Sequence, residues 1–304
     1  MNKIRIGTRG SPLALAQAHE TGTRLMEALA WQEHAFEIIV ISTTGDEIRD
    51  RPLSEIGGKG LFTKELEEAL YANAIDCAVH SMKDVPALMP PGLALAAILP
   101  REDVRDAFIS LSAPNLRALA HGAQLGSSSV RRTAQALRIR PDLVSTPFRG
   151  NVQTRLEKLK NGVADATFLA AAGLKRLGLA DRITSLIEID DMLPAVAQGA
   201  IGIQVKQSNE AAFAAIALIN HAESNTAVAC ERAFMAALDG SCRTPIAGHA
   251  ILKNGQIIFK GEALTLDGKH SFKTDRAGAW QDAAKMGHDA GQDIKAQGGA
   301  LIAY

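Results

Sequence analysis

Cysteine is scarce in this 304-residue chain: there are three, Cys77, Cys230 and Cys242, widely separated. They are too few and too scattered for a disulfide framework or a zinc site. Reduced thiols in a cytoplasmic protein are expected. The eight histidines are dispersed with no ligand-spaced pair, so no metal is expected. No apolar run reaches the length of a membrane span. The first residues, Met1-Asn2-Lys3-Ile4-Arg5-Ile6-Gly7, lack the apolar core and small-residue cleavage site of a signal peptide and read as a strand. What remains is an ordinary globular composition, 47% hydrophobic and 22% charged, in a chain long enough for two or three domains.

Net charge is also missing, with 33 basic and 33 acidic residues. The balance hides an asymmetry. Residues 126–182 hold eight Arg and three Lys against four acids, a net of +7. Such a block suits an anionic ligand; a solvated helix face is the plain alternative. A nucleic acid is disfavoured, because only Phe148 and Phe168 supply aromatic rings there and no RNA- or DNA-binding motif occurs.

Short apolar strands alternate with helical segments over the first two hundred residues. Strands are predicted at 3–8, 36–42 and 75–80, and helices at 11–29 and 60–71, which predicts an α/β fold with parallel strands. Near Gly126 the pattern repeats. Ile6-Gly7-Thr8-Arg9-Gly10-Ser11 before a helix is echoed by Leu125-Gly126-Ser127-Ser128-Ser129 before another, and 75–79 is echoed by 164–169. Two similar α/β lobes around a cleft are expected. From about residue 222 the texture changes to a helix ending at Gly240, three antiparallel strands with turns at Asn254-Gly255 and Asp267-Gly268, and a final helix at 280–296. This predicts a small C-terminal α+β domain.

Ligands in open α/β sheets bind beyond the carboxyl ends of strands. Ser81-Met82-Lys83-Asp84 follows such a strand, so Asp84 is a candidate catalytic carboxylate; Lys83 and Asp84 as a surface ion pair is the alternative. The turns at Gly7–Ser11 and Gly126–Ser129 each offer free N–H groups and hydroxyls at a helix start, where anions bind. Plain N-caps look the same. Arg9, Arg131, Arg132, Arg149 and Arg155 add guanidinium groups, which grip carboxylates in a two-pronged way that Lys cannot. Gly57-Gly58-Lys59-Gly60 is no phosphate loop, since neither the following Ser or Thr nor the upstream Gly is present. Residues 43–59 read as a mobile segment.

Three stretches carry a family resemblance. Glu231-Arg232-Ala233-Phe234-Met235-Ala236-Ala237-Leu238-Asp239-Gly240-Ser241-Cys242-Arg243-Thr244-Pro245-Ile246 resembles the cofactor-attachment signature of the porphobilinogen deaminases, also called hydroxymethylbilane synthases. His80-Ser81-Met82-Lys83-Asp84-Val85-Pro86 resembles a second signature, and the Arg-rich turns a third. The resemblance implies two lobes like those of periplasmic binding proteins, 1–99 with 200–217 and 100–199, plus a C-terminal domain, 218–304. It implies a covalent dipyrromethane on Cys242 through a thioether, with Ser81, Lys83, Ser127, Ser128, Ser129, Arg131 and Arg132 around it. Arg9, Ser11, Arg149, Arg155 and Gln198 would meet porphobilinogen and the growing polypyrrole, whose rings carry two carboxylates each. Asp84 would be catalytic, as charge stabiliser or proton carrier. Residues 43–59 would cover the site, and Glu55 departs from the basic residue frequent there. The implied reaction joins four porphobilinogens head to tail, losing ammonia, and hydrolyses off hydroxymethylbilane. A monomer acting without nucleic acid or membrane is implied. A non-catalytic two-lobed anion binder is the competing class, and the Cys242 loop speaks against it.

Overall fold

Isoleucines two residues apart start the first strand: Ile4 and Ile6 of β1 (Ile4–Thr8) are both fully buried. In the computed structural model, which describes residues 3–30, 35–47, 60–240 and 244–302, β1 has parallel neighbours on both sides. Ile6 faces Ile38 of β2 (Phe36–Val40) and Cys77 of β3 (Cys77–Ser81). Helix α1 (Pro12–Leu29) links β1 to β2, and α2 (Thr44–Glu47) and α3 (Lys64–Tyr71) precede β3. β4 (Leu93–Ile98) forms the far edge of the sheet.

The second sheet comes from β5 (Asp106–Ser110), β6 (Gln124–Gly126), β7 (Val144–Thr146), β8 (Ala166–Ala170) and β9 (Ser185–Leu186). Helices α4 (Val130–Ile139), α5 (Val152–Lys160) and α6 (Ala171–Arg176) lie between its strands. β10 (Ile201–Lys206) then returns to the first sheet. The orders match strand for strand: β2-β1-β3-β10-β4 in one, β7-β6-β8-β5-β9 in the other. The sequence echo of Gly7 with Gly126 is thus an echo of β1 with β6, and that of 75–79 with 164–169 an echo of β3 with β8.

The expectation of parallel strands throughout is corrected. β10 runs antiparallel to both β3 and β4, and β5 antiparallel to β8 and β9. A parallel return needs a crossover, usually a helix. β10 and β5 instead enter their sheets from segments without a helix, 193–200, with a turn at 196–199, and 99–105. Ile201, Ile203 and Val205 are buried with Ile4, Ile6 and Val79 in one core. Phe108, Leu125 and Phe168 centre a core in the second sheet.

After β10 come α7 (Glu210–Ala217) and α8 (Ala222–Ala237), then a three-stranded antiparallel sheet of β11 (Ile246–Lys253), β12 (Gln256–Leu264) and β13 (Ser271–Ala279), and finally α9 (Ala283–Gly298). Asn254 and Gly255 both take positive φ, 53° and 74°, which closes the β11–β12 hairpin with the two-residue turn the sequence predicts. Gly287 of α9 lies so close to α8 that a Cβ there would sit 1.9 Å from the Cys230 carbonyl oxygen. The described residues group into two compact units, 1–48 with 58–102 and 199–225, and 103–198 with 226–304. No helix among them is long and apolar enough to cross a membrane.

Candidate functional site

In the first unit the carboxyl ends of β1 and β3 bring the chemistry together. Ser11 caps α1 in extended conformation, its Oγ accepting the Ala14 N–H at 3.2 Å. Pro12 follows at the first helical position, where a missing N–H costs nothing. Arg9 is thereby fixed beyond the end of β1. β3 ends at Ser81 and passes into a 3-10 turn, Met82–Asp84. Arg9 Nη1 lies 3.7 Å from Asp84 Oδ2, with the two side chains 20% and 33% exposed. The Arg9 guanidinium also stands 4.1 Å from the centre of the Phe62 ring, within cation–π range. The Ser81 hydroxyl meets the Gln17 amide of α1 at 2.8–2.9 Å. Lys83, in the same turn, is half-buried.

In the second unit the turn after β6 is organised by its own hydroxyls. Ser127 Oγ accepts the Ser129 N–H at 3.2 Å, Ser128 Oγ accepts the Phe148 N–H at 3.0 Å, and Ser129 caps α4 by accepting the Arg132 N–H at 3.4 Å. The O–H groups of Ser128 and Ser129 can still donate to an anion.

Arg131 and Arg132 turn inward, only 4% and 6% exposed. Both meet Asp106, a fully buried carboxylate at the start of β5. Arg131 Nη1 donates to its Oδ2 at 2.7 Å; Arg132 Nε and Nη2 donate to its Oδ1 at 3.0 and 2.7 Å. Gln198 Nε2 adds a bond to Oδ1 at 3.0 Å and one to the Val104 carbonyl at 2.7 Å. Burial pushes the Asp106 carboxyl up, but the two arginine charges and their hydrogen bonds outweigh it and hold the group well below the usual carboxylate range.

This geometry gives the loss of either arginine a cost in folding. Arg132→Leu leaves a buried carboxylate with one cation instead of two. Removing a partner from a buried pair typically costs about 3–5 kcal/mol. Urea unfolding is expected to show a loss of that size; a change below about 1 kcal/mol would mark the cluster as dispensable to the fold.

Other N–H groups of the second unit are buried and lack a hydrogen-bonded partner: Arg131 Nε and Arg149 Nη1. A buried unpaired donor is costly unless something fills it. Arg155 Nε donates to the Gly150 carbonyl at 2.8 Å.

α8 was expected to close with Gly240 in the left-handed region. The left-handed residue is instead Asp239, at φ 50°. Gly240 serves closeness, because a Cβ there would sit 2.5 Å from Ile246 Cδ1. Residues 241–243, with Cys242 among them, and 48–59 of the expected covering segment lie outside the described residues. The other two thiols, Cys77 and Cys230, are buried and free. Burial pushes Cys230 up to about 12 and Cys77 higher still.

Sequence reasoning missed Asp106, Phe62 and Glu231. Glu231 is fully buried and accepts the N–H groups of Ala197 and Ala250 at 2.6 and 2.7 Å, tying the segment before Gln198 to β11. Asp106 had a readable signal. It opens the apolar run Ala107-Phe108-Ile109, and a carboxylate on a buried strand requires cations.

The family model described as "Porphobilinogen deaminase, dipyromethane cofactor binding domain" matches residues 4–214, and that for "Porphobilinogen deaminase, C-terminal domain" matches 225–296. The chloroplastic porphobilinogen deaminase of Pisum sativum is 54% identical over 303 residues, spanning 97% of this chain and 82% of its own. The porphobilinogen deaminase of Paracoccus denitrificans is 54% identical over 294 residues, spanning 97% and 94%. Among solved structures, substrate-binding domain 2 of Lactococcus lactis GlnP aligns with a TM-score of 0.42 and 11% identity, over 72% of this chain and 87% of that one.

Proposed function

The chain belongs to the porphobilinogen deaminase family, transferases of tetrapyrrole synthesis, and on that premise we propose how its residues divide the work. Asp84 is the catalytic carboxylate. The observation that carries this is its place beside Arg9 at the joined ends of β1 and β3. There its charge can accept a pyrrole N–H and offset the positive charge that develops on porphobilinogen as ammonia departs. Arg9 orients the carboxylate and, with the Ser11 hydroxyl, meets substrate carboxylates. Phe62 supports Arg9 from the ring face.

The dipyrromethane-binding residues are Ser81, Lys83, Ser127, Ser128, Ser129, Arg131 and Arg132, with Cys242 as the point of attachment through a thioether. The buried, unpartnered N–H groups of Arg131 and Arg149 suit a group rich in carboxylates. Deep burial of Cys77 and Cys230, with thiols pushed far from ionisation, supports Cys242 as the nucleophilic one. When bound, the dipyrromethane supplies a pyrrole carbon nucleophile on which rings are joined. Arg149 and Arg155 are assigned to the substrate. Gln198, bonded to Asp106, serves it by holding that carboxylate.

The two separate sheets of the second unit support a three-part division into 1–99 with 200–217, 100–199 and 218–304. A cytoplasmic monomer completes the proposal, consistent with free Cys77 and Cys230.

Intact mass tests the reading. The freshly purified chain is expected to be heavier than its sequence by one dipyrromethane, and to gain further pyrrole-sized increments with porphobilinogen. A bare mass on active protein would refute covalent attachment.

A further inference from the structure

The Asp106 cluster holds two cations against one anion. Both carboxylate oxygens of Asp106 are engaged, by Arg131, Arg132 and Gln198. Two carbonyls draw on the same guanidinium groups, Leu193 from Arg131 at 2.7 Å and Phe168 from Arg132 at 3.1 Å. The cluster sits in the first turn of the ten-residue helix α4, where the helix dipole adds further positive potential. A ligand carboxylate arriving there would balance the charges at two against two. It would also draw on donors that Asp106 already uses.

We propose that Asp106 is a positioning residue, an internal carboxylate that aims Arg131 and Arg132 and competes with the pyrrole ligand's carboxylates for their N–H groups. The proposal rests on the reading that these arginines bind those carboxylates. Asp106 does two opposing things. It fixes the direction of two long side chains, which favours one binding geometry. It also cancels one of two positive charges, which weakens the grip.

The test uses the full chain in a Cys242→Ala background, so that no cofactor is attached, and a free dipyrromethane bearing the acetate and propionate side chains as the probe. Calorimetric titration compares this chain with its Asp106→Asn derivative, with melting curves recorded on the same samples. Asn keeps the shape but leaves both arginine charges uncancelled. Folded Asp106→Asn protein is expected to bind the free dipyrromethane about tenfold more tightly and with a steeper loss of affinity in salt. A purely structural Asp106 predicts equal or weaker binding, and that result would overturn the proposal. Arg132→Lys in the same background separates the two ideas, because it keeps the charge and loses the two-pronged contact. Unchanged affinity in Arg132→Lys would sink the arginine assignment itself. Weakened affinity there, with no change in Asp106→Asn, would sink the role of Asp106 alone. Should Asp106→Asn fail to fold, nitrogen-15 spectra of the Cys242→Ala chain decide. The Nε–H signals of Arg131 and Arg132 must move on saturation with the free dipyrromethane, and unmoved signals overturn the proposal.

Discussion

Asp84→Asn is expected to lower turnover by roughly 10³-fold while leaving the fold intact. Asn preserves the size of the side chain and one acceptor oxygen but removes the charge. A fixed charge placed where an opposite charge develops is often the largest single catalytic contribution. The stability cost is small for a stated reason. The Arg9–Asp84 contact is long, at 3.7 Å, and partly open to water, so losing it costs about 1 kcal/mol or less. Arg9 keeps the Phe62 ring beneath it. Asp84→Glu retains the charge one methylene out of place and should fall less. The check is the rate of the two variants and the parent at equal dipyrromethane content by mass. Equal rates for Asp84→Asn and the parent would make the contact structural.

Cys242→Ala is expected to abolish turnover and to give the mass of the bare chain. Its melting temperature should stay close to that of the parent stripped of cofactor. The flanks of the loop are pinned independently of the thiol. Gly240 N–H bonds the Met235 carbonyl at 2.9 Å, Ile246 N–H bonds the Thr244 carbonyl at 2.8 Å, and Leu264 N–H bonds the Pro245 carbonyl at 3.0 Å. Product formation by Cys242→Ala at the parent's rate would end the anchoring role.

Local features of this fold were legible from the sequence. Plain capping was the alternative to anion binding at Ser11 and Ser129, because short oxygen-bearing side chains there satisfy open N–H groups, and both side chains do cap their helices. Asn254-Gly255 read as a hairpin because that pair accepts positive φ, and it does. The repeat at Gly126 was visible because equivalent strands need similar runs of residues. Direction and depth were not legible. Nothing in Ile201–Lys206 states which way β10 runs, because an antiparallel and a parallel strand need the same buried side chains. Arg131 and Arg132 were legible as cations, but their buried carboxylate partner was not, because a sequence shows charge and not orientation. Asp106, 25 residues before Arg131, turns them inward. That pairing arises only once β5 and α4 are packed together.

The central place of β10 has a consequence for synthesis on the ribosome. All strands of the second sheet lie between Asp106 and Leu186, so that sheet can close as soon as those residues have emerged. The first sheet cannot. It lacks the strand between β3 and β4 until Lys206 is made, although its other four strands precede Leu99. Domains tend to fold as units while the chain is still growing. Here the amino-terminal segment, with Arg9 and Asp84 on it, waits with an open gap while the later-made sheet forms ahead of it. Nascent chains that have emerged from the ribosome only as far as about residue 195, with β10 still inside, should therefore be cut by protease within 3–98 and resist it within 106–186.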